Sequence, residues 1–290
     1  MNSQRRERKD QHIENYLRTR SGENTLFEDV YIEHYAISDV SLDDVDTSIE
    51  FMGKTISMPL MIDAMTGGGS SSESINEDLS SICESLNIPM AVGSESIALT
   101  DESSRESFEL VKAKKDLFRV GNLGFERDFD DFGFARDLID AHAMQVHLNL
   151  AQELVMKEGD NSYHSSLRLI ESLVKNFDRP IIVKETGSGI SKVVAKELAD
   201  VGVRYIDVAG KGGTNFIEIE DLRDFEIDYS DLYNWGIPTA KSIIDVRSVS
   251  DDIFIISSGG IKTAMDIVKS IIIGADMAAM TGEVLNYLLH

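Results

Sequence analysis

Met144-Gln-Val-His-Leu-Asn-Leu-Ala-Gln-Glu153 is an apolar run that ends in polar side chains with little packing reason to be there. As a strand it sends Gln145, His147 and Asn149 to one side and Met144, Val146 and Leu148 to the other, because successive side chains alternate. Gln152 and Glu153 follow where the chain turns toward a helix. If this β-α step belongs to a parallel barrel, it sets an imidazole, two amides and a carboxylate at the mouth, where such folds build active sites.

Working outward, the same rhythm recurs from Met58 onward. The apolar runs are Leu60-Met-Ile-Asp-Ala, Met90-Ala-Val-Gly, Phe118-Arg-Val-Gly-Asn, Met144-Gln-Val-His-Leu, Ile181-Ile-Val-Lys, Tyr205-Ile-Asp-Val, Ile253-Phe-Ile-Ile-Ser and Met277-Ala-Ala-Met. Each is near-continuously apolar, as a parallel strand covered on its outer face must be. Helical patterns such as Ser191–Asp200 and Ala264–Ile271 fill the gaps. Eight β-α steps predict an α/β fold, a (β/α)8 TIM barrel. The widest gap, between the sixth and seventh strands, predicts a lid or wall at the mouth, and Pro238 within it is placed as the first residue of a helix.

The expected division is an N-terminal extension over 1–57 and a barrel over 58–290. Residues from about 5 to 20 read as a short helix with a narrow apolar stripe of Ile13, Tyr16 and Leu17. Arg8, Lys9 and His12 lie together on another side, which taken alone reads as a solvated charged end. Val30-Tyr-Ile-Glu-His-Tyr and Ser48–Ile56 read as short strands, the second a hairpin turning at Gly53-Lys54 and covering one end of the barrel.

Lys plus Arg total 28 against 51 for Asp plus Glu, a net charge of -23 that disfavours nonspecific binding to nucleic acid or anionic membrane. An anionic small substrate then needs a locally basic pocket. The single Cys83 excludes an internal disulfide, fits a reducing cytoplasm and reads as a buried apolar residue. The N-terminal decapeptide lacks the apolar core of a signal peptide, and no apolar run is long enough to span a bilayer.

The strand ends are small, polar or flexible: Ala64-Met-Thr-Gly-Gly-Gly69, Gly93-Ser-Glu-Ser96, Asn122, Lys184-Glu185, Gly210-Lys-Gly-Gly-Thr214, Ser257-Ser-Gly-Gly260 and Thr281-Gly282. Each glycine cluster alone reads equally as a tight turn. Together, with two after the seventh and eighth strands, they predict a bound phosphate. Lys184, an ammonium inside the barrel, needs a negative partner, and the electron-rich edge of a reduced flavin would supply one.

Arg8-Lys-Asp-Gln-His12, Ala64-Met-Thr-Gly-Gly68, His147-Leu-Asn-Leu-Ala-Gln-Glu153 with Glu158-Gly-Asp160, Lys184-Glu185, Asp207 through Thr214, Trp235-Gly-Ile-Pro-Thr239 and Ser258-Gly-Gly260 form an ordered set. In this set the chain resembles the type 2 isopentenyl-diphosphate isomerases, which are FMN-dependent barrel enzymes. The resemblance implies FMN contacts from Ala64, Met65, Thr66, Ser94, Asn122, Lys184, Thr214, Gly259, Gly260, Thr281 and Gly282. It implies a prenyl diphosphate held by Arg8, Lys9, His147 and Asn149, with Gln152 by the allylic unit and Glu153 on Mg2+. Catalytic roles fall to Gln152, His147 and Lys184. The family further implies NAD(P)H as reductant, a cytoplasmic location and a homo-oligomer, tetramer or octamer. One stretch departs from it: Gly93-Ser-Glu-Ser96 stands where the family reads Gly-Ser-Gln-Arg, which removes an arginine and sets a carboxylate beside the expected diphosphate.

Two rival readings share the barrel and stay open on residues alone. One is an FMN-dependent oxidase or dehydrogenase of a 2-hydroxy acid, and the other a flavin-binding homologue whose isomerase turnover is weakened or lost.

Overall fold

The computed structural model describes residues 15–16, 19, 24–157, 159, 166–223 and 227–289. Its first strands form an antiparallel hairpin, β1 (Ile49–Phe51) and β2 (Lys54–Ile56), in register Ile49↔Ile56 and Phe51↔Lys54. The turn is Met52-Gly53, both at positive φ (49° and 82°), so Lys54 already belongs to the strand. Two positive-φ residues match the twist of the flanking strands, and the glycine relieves half of the cost.

The eight apolar runs form one closed parallel barrel. Its strands are β3 (Leu60–Ile62), β4 (Met90–Ala91), β5 (Arg119–Gly124), β6 (Ala143–Leu148), β7 (Ile181–Glu185), β8 (Tyr205–Asp207), β9 (Phe254–Ser257) and β10 (Met277–Met280), with β10 closing on β3. The (β/α)8 barrel expected from the alternation is therefore present. The intervening helices include α1 (Ser72–Leu86), α2 (Glu106–Glu109), α3 (Phe129–Ile139), α4 (Leu150–Val155), α5 (Ser166–Asn176), α6 (Lys192–Asp200), α7 (Phe216–Asp221), α8 (Thr239–Arg247), α9 (Ala264–Ile272) and α10 (Gly282–Leu289). Helix α1 buries Ile75, Leu79 and Cys83, a spacing of one helical turn that lays them on one face. Burial pushes the Cys83 thiol up to about 12, so it stays protonated and apolar. Capping boxes at Asp128 and Thr263 start α3 and α9. Helix α8 begins at Thr239, with Pro238 in the position just before it.

Side chains inside the barrel change character along its axis. Phe51 and Ile56 of the hairpin, Phe118, Ala143, Met61, Ala91, Val120, Ile182, Ile256, Met277 and Ala279 make a dry lower core. Phe51 lies 5.1 Å from Phe118 and 5.4 Å from Phe254, ring centre to ring centre, and so stoppers the N-terminal end. Above this core the same inward positions become Asp63, Asn122, Gln145, Lys184 and Asp207. The switch from apolar to polar and ionisable residues marks the floor of the mouth.

One expectation for the N-terminal part changes. Val30–Tyr35 forms no strand, and Tyr31 and Tyr35 are 84% and 81% exposed. A closed barrel offers no strand edge for such a segment to join, so its β propensity goes unused. Arg8, Lys9, His12, Ile13 and Leu17 lie outside the described residues. Asn15 and Tyr16 are helical and meet the mouth: Asn15 Nδ2 donates to the Ile219 carbonyl at 3.3 Å.

Candidate active site

A cavity of about 1140 Å³ opens over the C-terminal ends of the strands. Its floor is built around Lys184, which β7 carries inward opposite His147 of β6 and Asp207 of β8. Lys184 Nζ lies 3.4 Å from Asp63 Oδ2 and 3.9 Å from Asp207 Oδ2, and donates to the Glu185 carbonyl at 2.7 Å. Gln145 Nε2 donates to Asp63 Oδ1 at 2.8 Å, and Ser258 Oγ donates to Asp207 Oδ1 at 2.5 Å. Burial disfavours charge on all of these groups, yet their mutual attraction outweighs it at two of them. Lys184 is raised above its usual value by Asp63 and Asp207, and Asp63 is lowered, chiefly by Lys184. Asp207 goes the other way, up to about 8, through burial and the neighbouring Asp63 charge. At neutral pH the trio thus holds one ammonium, one carboxylate and one protonated carboxyl, with no net charge. The protein therefore provides the negative partner of Lys184 through Asp63, a role the sequence alone left to a reduced flavin.

The wall is made by β5, β6 and α4. His147 Nδ1 lies 2.8 Å from Asn122 Oδ1, and with that amide oxygen as acceptor the fitting tautomer carries its proton on Nδ1. Asn149 stands just before α4 at its N-cap position and donates from Nδ2 to Glu153 Oε1 at 2.8 Å. With Oδ1 turned to that carboxylate two acceptors would face each other, which fixes the amide's orientation. Gln152 Nε2 donates to Glu220 Oε1 of α7 at 2.7 Å, and Glu220 is ion-paired with Arg223. The long segment between β8 and β9 is accordingly a wall of the cavity, through Phe216, Ile219 and Arg223.

At the end of β5, Glu126 Oε1 lies 3.0 Å from Arg127 Nε, and that same nitrogen donates to Ser96 Oγ at 3.2 Å. Burial raises the Glu126 carboxyl, with Glu153 adding to the effect and Arg127 opposing it. Glu95 is fully buried, accepts the Asn122 N–H at 2.9 Å on Oε2, and is not itself among the residues that line the cavity. The carboxylate that the sequence placed beside a diphosphate is thus turned into the barrel wall, and the Arg127 guanidinium reaches Ser96 in its stead.

The rim opposite is glycine. Gly259 and Gly260 have φ of 95° and 76°, and a Cβ on either would strike the backbone of Gly210 or Gly212. This locks the loop after β9 against the loop after β8. Gly282 opens α10, and a Cβ there would strike the Tyr16 hydroxyl. Backbone N–H groups exposed by such loops and by a helix start bind anions.

Ala64, Met65, Thr66, Ser94, Asn122, His147, Asn149, Gln152, Glu153, Lys184, Thr214, Gly259, Gly260, Thr281 and Gly282 all line this one cavity. Asp63, Glu126, Arg127, Glu220 and Arg223 were not singled out from sequence. Asp63 carried a usable signal, a charge closing an apolar run as Lys184 does; the others are polar residues just past a strand or at the end of a short helix, where charge is ordinary. Among the described residues no group of three or more His, Cys, Asp or Glu side chains is arranged to hold a metal ion. Oxygen acceptors without donors are nevertheless buried beside Glu153, namely Glu126 Oε2 and Asn149 Oδ1. The volume, the glycine rim and the buried lysine fit a flavin nucleotide with room for a small second molecule. The oxygen-rich corner at Glu153 fits a hard divalent cation.

Residues 163–286 match the family model described as a conserved region in glutamate synthase. Three relatives named isopentenyl-diphosphate delta-isomerase align with most of the chain. That from Listeria innocua serovar 6a is 40% identical over 222 residues, 75% of this chain and 61% of its own length. Those from Bacillus pumilus and a Geobacillus species are 40% and 41% identical over 219 residues, 75% of this chain and 62% and 63% of theirs. The chain spans about three fifths of the length of the relatives it matches. Over that shared length, at 40% identity and on a closed parallel barrel, the chain is similar to the isopentenyl-diphosphate delta-isomerases.

Proposed function

We propose that the chain binds FMN and Mg2+ and interconverts isopentenyl diphosphate and dimethylallyl diphosphate. The supporting observation is that every described residue assigned to cofactor, metal or substrate by resemblance lines a single cavity at the barrel mouth. In this reading residues 58–290 are the catalytic barrel and residues 1–57 an extension of it, acting in the cytoplasm as a homo-oligomer with NAD(P)H as reductant.

The FMN phosphate would lie against the N–H groups of Gly259, Gly260 and Gly282 with Thr281. Its ring system would meet Ala64, Met65, Thr66, Ser94, Asn122, Thr214 and Lys184. Bound and reduced, FMN supplies the group that gives and takes the allylic proton. The ammonium of Lys184 stabilises negative charge above the floor, because Asp63 keeps it protonated and Asp207 adds no competing charge at neutral pH. Gln152, anchored through its amide nitrogen to Glu220, keeps its carbonyl oxygen for the alkene end. His147, Asn149, Arg8 and Lys9 would hold the diphosphate, and Glu153 would hold Mg2+ against its oxygens. Arg8 and Lys9 would bring the positive field that an acidic chain otherwise lacks, and Asn15 and Tyr16 at the mouth support their reaching it. The protein's contribution is mainly orientation: both reactants are held before the proton moves.

The deciding experiment is an anaerobic assay with reduced FMN, Mg2+ and isopentenyl diphosphate. Dimethylallyl diphosphate should form, and its absence at saturating substrate would overturn the proposal.

A further inference from the structure

Glu126 stands two residues past the end of β5 and folds back over Gly124, where a Cβ would strike its carboxylate. Its side chain is 18% exposed, with Oε1 turned to Arg127. Oε2 is buried and accepts no hydrogen bond. Across the wall, Asn149 is 6% exposed and spends Nδ2 on Glu153, leaving Oδ1 buried without a donor. Glu126 and Glu153 are close enough for their charges to repel. All three residues line the same cavity.

Buried acceptors without donors are costly, and two of them next to a second carboxylate share a single remedy. A hydrogen-bond donor satisfies one oxygen at a time. A divalent cation satisfies several at once and cancels the repulsion between the carboxylates. Oxygen-only ligands, two anionic and one neutral, suit Mg2+ or Mn2+ and exclude a preference for soft metals.

The geometry points to Glu126 as a second carboxylate ligand of the divalent cation, with Asn149 Oδ1 as the neutral ligand between it and Glu153. This rests on the assignment of a cation to Glu153 and extends it: the chain supplies three oxygens, enough to hold the metal before any diphosphate arrives. It also gives Asn149 a different task. With its amide hydrogens directed at Glu153, what it offers the site is an acceptor.

The test is Mn2+ binding to the full chain, read by electron paramagnetic resonance, with and without inorganic pyrophosphate. The wild type should bind one Mn2+ without pyrophosphate. Glu126→Gln, which keeps shape and removes charge, should weaken binding at least tenfold in both conditions, as Glu153→Gln should. Thermal unfolding of each variant establishes that it is folded. Glu126→Gln affinity within threefold of wild type in both conditions would overturn the inference and leave Glu126 as the counterion of Arg127. The assay for the isomerase reading is independent of this one. Product formation with metal affinity indifferent to Glu126 removes only the ligand role; Glu126-dependent metal binding without product removes only the reaction.

Discussion

Lys184 shows how much a single residue in this site depends on its surroundings. Its ammonium holds Asp63 ionised, while Asp207 beside them keeps a proton to about pH 8. An unfolded chain releases that proton near pH 4. The folded state therefore binds more protons than the unfolded one across this interval, and stability from Asp207 is full below about pH 4 and lost as pH rises toward 8. Lys184→Ala should bring Asp63 under the same rule, since its lowered value depends on the ammonium. The variant is expected to lose about 3–5 kcal/mol near neutral pH, the usual cost of stranding a buried charge. Part of that loss should return at pH 5, where the pair can hold protons. Urea unfolding at pH 5 and 7.5 measures this, and a deficit that grows on acidification would refute the dependence of the Asp63 charge on the Lys184 ammonium. The lysine was legible in the sequence as a charge ending an apolar run, and Asp63 was legible by the same criterion. Glu95 and Glu126 were not, because direction decides their roles: one turns into the wall and the other folds back over a glycine, and neither turn is written in residue type.

At the scale of elements, the eight runs became eight strands because each is apolar on both faces, a demand only a covered parallel sheet makes. The hairpin was legible too, but the partner it covers was not. Phe51 packs among Phe118, Tyr205 and Phe254, which open or precede β5, β8 and β9 at the lower end of the barrel. Those aromatics are separated by long stretches of chain, so only closure of the barrel brings them together. Stability at the bottom and chemistry at the top should then separate. Phe51→Ala is expected to cost about 3–5 kcal/mol, while FMN affinity measured at a temperature where the variant is folded stays within about twofold. A large loss of flavin binding with an unchanged unfolding midpoint would mean that the hairpin serves the mouth.

For the whole molecule, the cavity takes residues from the C-terminal half of every strand or just beyond it: Asp63, Gly93, Asn122, His147, Lys184, Ala209, Ser258 and Thr281, one for each of the eight strands in turn. A ligand that bridges them binds the closed barrel and has no counterpart in the unfolded chain. Its binding energy therefore adds to the stability of the whole, by about 2.7 kcal/mol at a hundred times Kd. For a domain of this size each kcal/mol shifts Tm by roughly 2–4 °C, so FMN at that excess should raise Tm by roughly 5–10 °C. The form of the shift is as informative as its size. Because Phe51 is buried inside the barrel, the hairpin and the barrel should melt together, and calorimetry should show one transition that moves intact on FMN addition. Two transitions, with only the later one moved by FMN, would make residues 1–57 a unit that folds by itself. A single transition that FMN leaves in place would remove the flavin from the cavity, and with it the reading of Lys184 as the cation beneath it.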